Sequence, residues 1–175
     1  MIDLKKTNII TNEKILIFGY GSLLLEGSLK ETAPNSRIVC EGTLKNFIRI
    51  FNKPSKKLQY LALNIQPKKN YFVNGVVIEL DKKDIFEILR REFRYDMILV
   101  EVETSNGIIQ TYTFSYSQEN EMSFNVDNEI QIDYIRTCTN GAKLRNQKFY
   151  SNFLNTTFVN FKESLSSFKD RGLLD

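Results

Sequence analysis

Apolar residues recur along this chain with two spacings, one suited to strands and one to helices. Ile15-Leu16-Ile17-Phe18 is a continuous apolar run followed at once by Gly19-Tyr20-Gly21-Ser22. It predicts a strand buried on both faces that ends in a tight glycine loop. Ser28 is placed to cap a short helix that stops at Pro34. From Arg37 to Phe51 the pattern is β-like, with Gly42 expected at a bulge or bend. Segments 60–65 and 72–78 read as two further strands, with Gln66-Pro67-Lys68-Lys69-Asn70 as the turn between them.

Asp81 then occupies a helix-cap position, and a helical pattern runs to about Glu92. Two strands follow, Asp96–Thr104 and Ile108–Tyr116, joined through Asn106-Gly107, a strong hairpin signal. Ser117–Asn128 is polar and reads as a loop, and helical spacing resumes from Glu129 with Gly141 as a break. A last amphipathic helix is expected over about 158–170, with Phe158, Phe161, Leu165 and Phe168 on one side. Strands first and helices last predict a single α+β domain with a curved or barrel-like sheet.

The helix from Lys82 carries the most informative anomaly. Ile85, Ile88 and Leu89 form its apolar stripe, and the next position on that stripe is Glu92. Asp84, Glu87 and Arg91 fall on the other side, with Glu87 and Arg91 spaced as a surface pair. A glutamate aimed at the core loses hydration, which raises its pKa and suits it to proton transfer near neutral pH. The plain alternative is a helix that ends one residue early and turns Glu92 to solvent, or a pairing of Glu92 with Arg90 or Arg94.

The Gly19–Ser22 loop leaves its backbone amides little covered by side chains, and consecutive exposed N–H groups can hold an anion or a developing oxyanion. It is not a phosphate-binding loop, since no G-x-x-x-x-G-K-[ST] pattern is present. An ordinary glycine turn is the competing reading.

Composition narrows the chemistry. The chain has 175 residues, and 42% of them are hydrophobic, enough for one core without disulfides. It has no histidine and only Cys40 and Cys138, which leaves no His-based triad and no usual zinc site. A carboxylate is therefore expected to move the protons, and the two cysteines are expected to be buried free thiols. The net charge of +3 is spread along the length. The clusters Lys53–Lys57 and Lys68–Lys69 read as solvated loop charges rather than a nucleic-acid stripe. The N-terminal stretch lacks the apolar core of a signal peptide, and no apolar run approaches the roughly 20 residues of a membrane span. A cytoplasmic protein without a nucleic-acid or membrane partner is expected, as monomer or homodimer.

Several segments together resemble the γ-glutamyl cyclotransferase superfamily. Phe18-Gly19-Tyr20-Gly21-Ser22-Leu23 looks like the family's Tyr-Gly-Ser-Leu/Asn substrate loop. Gly75-Val76-Val77-Ile78-Glu79-Leu80-Asp81 looks like its strand leading into a helix, and Arg91-Glu92-Phe93-Arg94-Tyr95 like the segment that carries its catalytic glutamate. Thr111-Tyr112 lies where these enzymes commonly place a tyrosine near the substrate, and Tyr134–Ala142 resembles their late helix. The correspondence runs from about Ile15 to Thr157.

The resemblance implies a small mixed β-barrel of about six to seven strands with flanking and C-terminal helices, and no metal or cofactor. It implies release of 5-oxoproline and a free amine or amino acid from a small γ-glutamyl compound. Glu92 would be the catalytic base and acid, and Tyr20, Gly21, Ser22, Leu23, Tyr95 and Tyr112 would hold the substrate. The Gly-Tyr-Gly-Ser-Leu form is closer to the glutathione-degrading branch, but the tryptophan common in that branch is absent. A non-catalytic metabolite-binding module and an enzyme removing γ-glutamyl groups from a larger amine are the alternative readings.

Overall fold

A computed structural model describes residues 14–118 and 122–172. The expectation of no leader rests mainly on residues 1–13, which lie outside that range. Strands β1 (Lys14–Gly19), β2 (Arg37–Pro54), β3 (Leu61–Asp81), β4 (Asp96–Thr104) and β5 (Gly107–Ser115) follow the order β3-β1-β5-β4-β2, and β2 pairs back onto β3. That last pairing closes a five-stranded mixed barrel. β1 runs parallel to β5, and the other barrel pairs are antiparallel. The expected α+β barrel is therefore present, and β6 (Thr157–Asn160) and β7 (Glu163–Ser164) extend the sheet from β2.

β2 and β3 depart most from the sequence reading. The segments expected as two strands with a turn at 66–70 form one strand of 21 residues. Pro67 lies opposite Phe47 just past a register shift between Lys45 and Phe47, where the ladder is already broken. A proline without an N–H is tolerated at such a bulge, so it does not end the strand. Further shifts at Ile38/Cys40 and Phe51/Lys53 add the bends that let a long hairpin curl into a barrel. Gly42 is not itself at a shift; the Val102 side chain lies where a Cβ would stand, at 2.4 Å.

Helices α1 (Glu26–Thr32), α2 (Lys82–Arg91), α3 (Glu129–Lys143), α4 (Gln147–Thr156) and α5 (Leu165–Asp170) flank the barrel. Ser28 lies inside α1 rather than at its cap, and Asp81 holds the cap position of α2 without a capping hydrogen bond. In contrast, the Asn128 side chain accepts from the Ile130 and Gln131 amides and starts α3. Gly141 does not break α3. A Cβ there would meet the Leu25 nitrogen at 2.5 Å and the Leu24 carbonyl carbon at 2.7 Å, so glycine lets α3 lie directly on the loop after β1. The expected helix over 158–170 is also corrected: Phe158 and Val159 lie in β6, Phe161 is exposed, and helix begins only at Leu165. Strand pairing with β2 takes Thr157 and Phe158 out of any helix.

Candidate active site

β1 delivers its fully buried Phe18 and then Gly19 to the end of the barrel, where the chain turns through Tyr20 and Gly21 into a short 3-10 turn, Ser22–Leu24. The first hydrogen bond of that turn runs from the Leu24 N–H to the Gly21 carbonyl at 3.0 Å. The amide N–H groups of Gly21, Ser22 and Leu23 precede it and have no acceptor among the described residues. They form the kind of concave donor set that holds an anionic oxygen.

Several contacts fix this loop. The Tyr20 hydroxyl donates to the Phe114 carbonyl at 2.6 Å. Arg91 donates to Ser22 Oγ at 3.0 Å, to Ser28 Oγ at 2.8 Å and carbonyl at 2.6 Å, and to Thr32 at 2.9 Å. The Glu87–Arg91 surface pair is thus not formed. Arg90 takes Glu87 instead, and Arg91 ties α2 to α1 and the loop. Asp84 is likewise not on an open face: it is buried and accepts from the Asn35 backbone amide at 2.8 Å.

From below, Arg49 reaches the Tyr20 carbonyl at 3.2 Å. This guanidinium is 0% exposed and also bonds Thr157, Thr156, Phe153 and both oxygens of Asn74. It lies 3.9 Å over the Phe153 ring. Every acceptor is neutral, and burial lowers the Arg49 pKa to about 9. Because a trans peptide points its C=O and N–H in opposite directions, holding the Tyr20 carbonyl aims the Gly21 N–H away from Arg49.

Glu92 stands just past α2, with its N–H still bonded to the Ile88 carbonyl at 2.8 Å. Its side chain is only 14% exposed and approaches Arg91 Nε at 3.5 Å. Burial raises its pKa above the ordinary carboxylate range, opposed by the charges of Arg91 and Lys53. The expected inward placement of Glu92 therefore holds, although the helix ends one residue before it. One cavity is lined by the Phe18–Leu23 segment with Leu63, Glu92, Tyr95, Phe114 and Tyr134.

The structure thus brings Tyr20, Gly21, Ser22, Leu23, Glu92 and Tyr95 together. Tyr112 is not among the lining residues. It pairs with Leu99 and Ile17 on β5, and a strand repeat of two places it roughly 6–7 Å further from the loop than Phe114 on the same face. Tyr95 donates to the Leu63 carbonyl at 2.5 Å, and Tyr134 accepts from the Leu63 amide at 3.2 Å, so two tyrosines clasp one residue of β3. Burial holds the Tyr20, Tyr95 and Tyr134 hydroxyls well above their usual pKa, so they are neutral, fixed walls.

Sequence reasoning did not assign Tyr134, Leu63, Phe114 or Arg49 to the site. The available signal for Arg49 was a charge embedded in the apolar run Ile48–Phe51. Lys53, expected in solvent, is 7% exposed, with its ammonium 4.3 Å over the Tyr95 ring. Of the two free thiols, Cys40 is half-buried and Cys138 buried, and burial pushes Cys138 up to about 12. Among the described residues no group of three or more acidic or thiol side chains could hold a metal, and no helix is long and apolar enough to cross a membrane.

The closed mixed barrel with its flanking helices shares its fold with solved γ-glutamyl cyclotransferases. A solved structure of a γ-glutamyl cyclotransferase matches with a TM-score of 0.69 at 17% identity, over 92% of this chain and 98% of that one. An uncharacterized protein from Homo sapiens matches with a TM-score of 0.69 at 19% identity, over 93% and 99%. A γ-glutamyl cyclotransferase specific to glutathione from yeast matches at 0.58 and 14% identity, over 83% and 96%. At these identities the likeness is one of fold. No protein-family model matches the chain, and no curated protein matches it by sequence.

Proposed function

We propose that this protein is a γ-glutamyl cyclotransferase-type enzyme that releases 5-oxoproline from a small γ-glutamyl compound. The observation that carries the reading is a largely buried carboxylate, Glu92, sharing a cavity with three consecutive amide donors that lack acceptors among the described residues.

The reaction closes a five-membered lactam within one molecule, so the protein mainly holds the substrate in a near-attack shape. The α-nitrogen bonds to the γ-carbonyl carbon, the carbonyl becomes an oxyanion, and the original C–N bond then breaks. Two protons leave the attacking nitrogen and two arrive on the departing one, with no water consumed. Glu92 carries them as base and then acid. Its raised pKa strengthens it as a base while Arg91 and Lys53 keep it ionisable. The Gly21–Leu23 amides stabilise the oxyanion. Tyr20 and Tyr95, with Tyr134, shape the cavity and hold the loop and β3 in register. Tyr112, away from the lining, has no part in this reading. The reading needs no cofactor or metal and takes its substrate from solution.

The test is 5-oxoproline release from glutathione, γ-glutamyl-alanine and a γ-glutamylamine by wild type and Glu92→Gln. Release by wild type with loss of ~10²-fold or more in the variant supports the assignment. Inactivity of wild type on all three overturns the activity, and full activity of Glu92→Gln overturns the residue. A metabolite-binding module of the same fold would then be the better description.

A further inference from the structure

α2 brings Glu92 to the cavity and the loop after β1 brings the Gly21–Leu23 amides, yet among the described residues no backbone hydrogen bond joins the two. A base and an oxyanion cradle that act on one small molecule have to be held to within about half an ångström. Glu92 stands at the C-cap of α2, with φ −83° and ψ 31°, where the helix is already ending. The chain leaves at once through Arg94, at φ 73°. No following helical turn is there to hold its carboxylate.

Arg91 supplies the link. Its guanidinium carries five N–H donors in a rigid plane. Four are committed to α1 and the loop: Nη1 donates to the Ser28 carbonyl and Thr32 Oγ1, and Nη2 donates to Ser22 Oγ and Ser28 Oγ. That leaves Nε, which lies 3.5 Å from Glu92 Oε1. Because the plane is rigid, four bonds at its far end decide where Nε stands. The Arg91 side chain is 23% exposed and that of Glu92 14%, so the ion pair is largely shielded from water.

The geometry points to Arg91 as the positioning residue that sets the distance between Glu92 and the Gly21–Leu23 amides, an inference that rests on the proposed reaction. Arg91 acts through Ser22 on one side and Glu92 on the other. Ser28 and Thr32, which do not line the cavity, anchor it. A lysine in its place keeps the charge but has a single nitrogen, which cannot serve the loop, α1 and Glu92 together.

5-Oxoproline release from glutathione, γ-glutamyl-alanine and a γ-glutamylamine is measured across pH for wild type, Arg91→Gln, Arg91→Lys, Ser28→Ala and the double variant of Ser28→Ala with Arg91→Gln. Both Arg91 variants should lose about ten- to a hundredfold in kcat on all three substrates, since a misplacement of about 1 Å costs up to about 10²-fold. KM should change less. Ser28→Ala should lower kcat in the wild-type background and leave it unchanged in Arg91→Gln, the non-additivity of a shared network.

The pH profile separates positioning from plain stability. The groups that bear on Glu92 are Arg91 beside it, Lys53 of β2, and the neutral Tyr20, Tyr95 and Tyr134 of the cavity wall. Glu92 must be ionised to take a proton, so kcat/KM falls as pH drops through its folded pKa. Losing the Arg91 charge leaves burial less opposed. The acid limb should therefore move to higher pH in Arg91→Gln and stay near its wild-type position in Arg91→Lys.

Wild-type kcat in either Arg91 variant overturns the inference, as does an acid limb that stays in place in Arg91→Gln. A fall confined to one substrate also overturns it, because Arg91 would then read the leaving amine. If Arg91→Gln does not fold, Thr32→Val and Ser28→Ala, which each remove one anchor, are judged by kcat on the same three substrates. Wild-type inactivity on all three sinks the proposed reaction and the part of Arg91 in it together. An active wild type beside an equally active Arg91→Gln sinks this inference alone.

Discussion

Arg49 and Lys53 occupy one short stretch of β2, both inside the protein, and they are treated in opposite ways. Around Arg49 the fold supplies acceptors from the loop after β1 and from β3, α4 and β6, all neutral, until the guanidinium is satisfied. Around Lys53 it supplies one aromatic face and leaves the donors open. Arg49 joins the elements that carry the Tyr20–Leu23 loop, and the fold itself completes its bonds. Lys53 rests its ammonium on the Tyr95 ring and keeps it within reach of solvent, so water can complete its bonds. Two cations of one strand therefore differ in what satisfies them: the chain itself for Arg49, an aromatic face and solvent for Lys53.

The most damaging change should be Arg49→Met. It strips the donor from buried oxygens on several elements, and breaking such a network costs about 3–5 kcal/mol. Urea denaturation should read a large fall in midpoint, well beyond that of Lys53→Met. Equal destabilisation by the two would erase the contrast between them.

Glu92→Gln comes next, with kcat down ~10²-fold or more and little change in secondary structure. Its stability effect should depend on pH in a defined direction. Glu92 binds its proton more tightly when folded than unfolded, so its contribution is present at low pH and lost as pH rises through the raised folded value. Glu92→Gln should match wild type in acid and become the more stable protein as pH climbs past the ordinary carboxylate range. Thermal melting across that range checks the sign. The same protonation should make wild-type kcat/KM fall as pH drops through a value above the usual carboxylate pKa.

Gly141→Ala sharpens the comparison from the loop's other side. A methyl group there meets the Leu24 and Leu25 backbone, so overpacking of about 1–3 kcal/mol is expected, together with a lower kcat/KM from the displaced loop. The smallest effect belongs to Glu87→Gln. It breaks an exposed pair with Arg90, and less than about 1 kcal/mol should be lost, with activity unchanged.

Local patterns made a good share of this protein legible. The apolar run before Gly19, the Asn106-Gly107 hairpin and the inward stripe of Ile85, Ile88 and Glu92 are all short-range features, and each element formed where periodicity placed it. Glu92 was conspicuous because it falls on the apolar stripe of a single helix, at the position where that helix ends. Long-range partners overruled the local signals elsewhere. Gln66–Asn70 has the composition of a turn, but pairing with β2 carried the strand through it. Gly141 has the look of a helix break, but close packing on Leu24 and Leu25 required it within the helix.

By itself, then, the sequence determined the α+β class, the glycine loop at the end of a buried strand and the glutamate facing the core. These depend on neighbours within a few positions, where backbone geometry sets which side chains share a face. Only the tertiary structure decided which cations stand near that glutamate, that Tyr134 and Tyr95 clasp Leu63, and that Tyr112 stays away from the cavity. Those outcomes depend on how bulges set the register of β2 against β3, and a shift of one residue moves every following side chain to the opposite face.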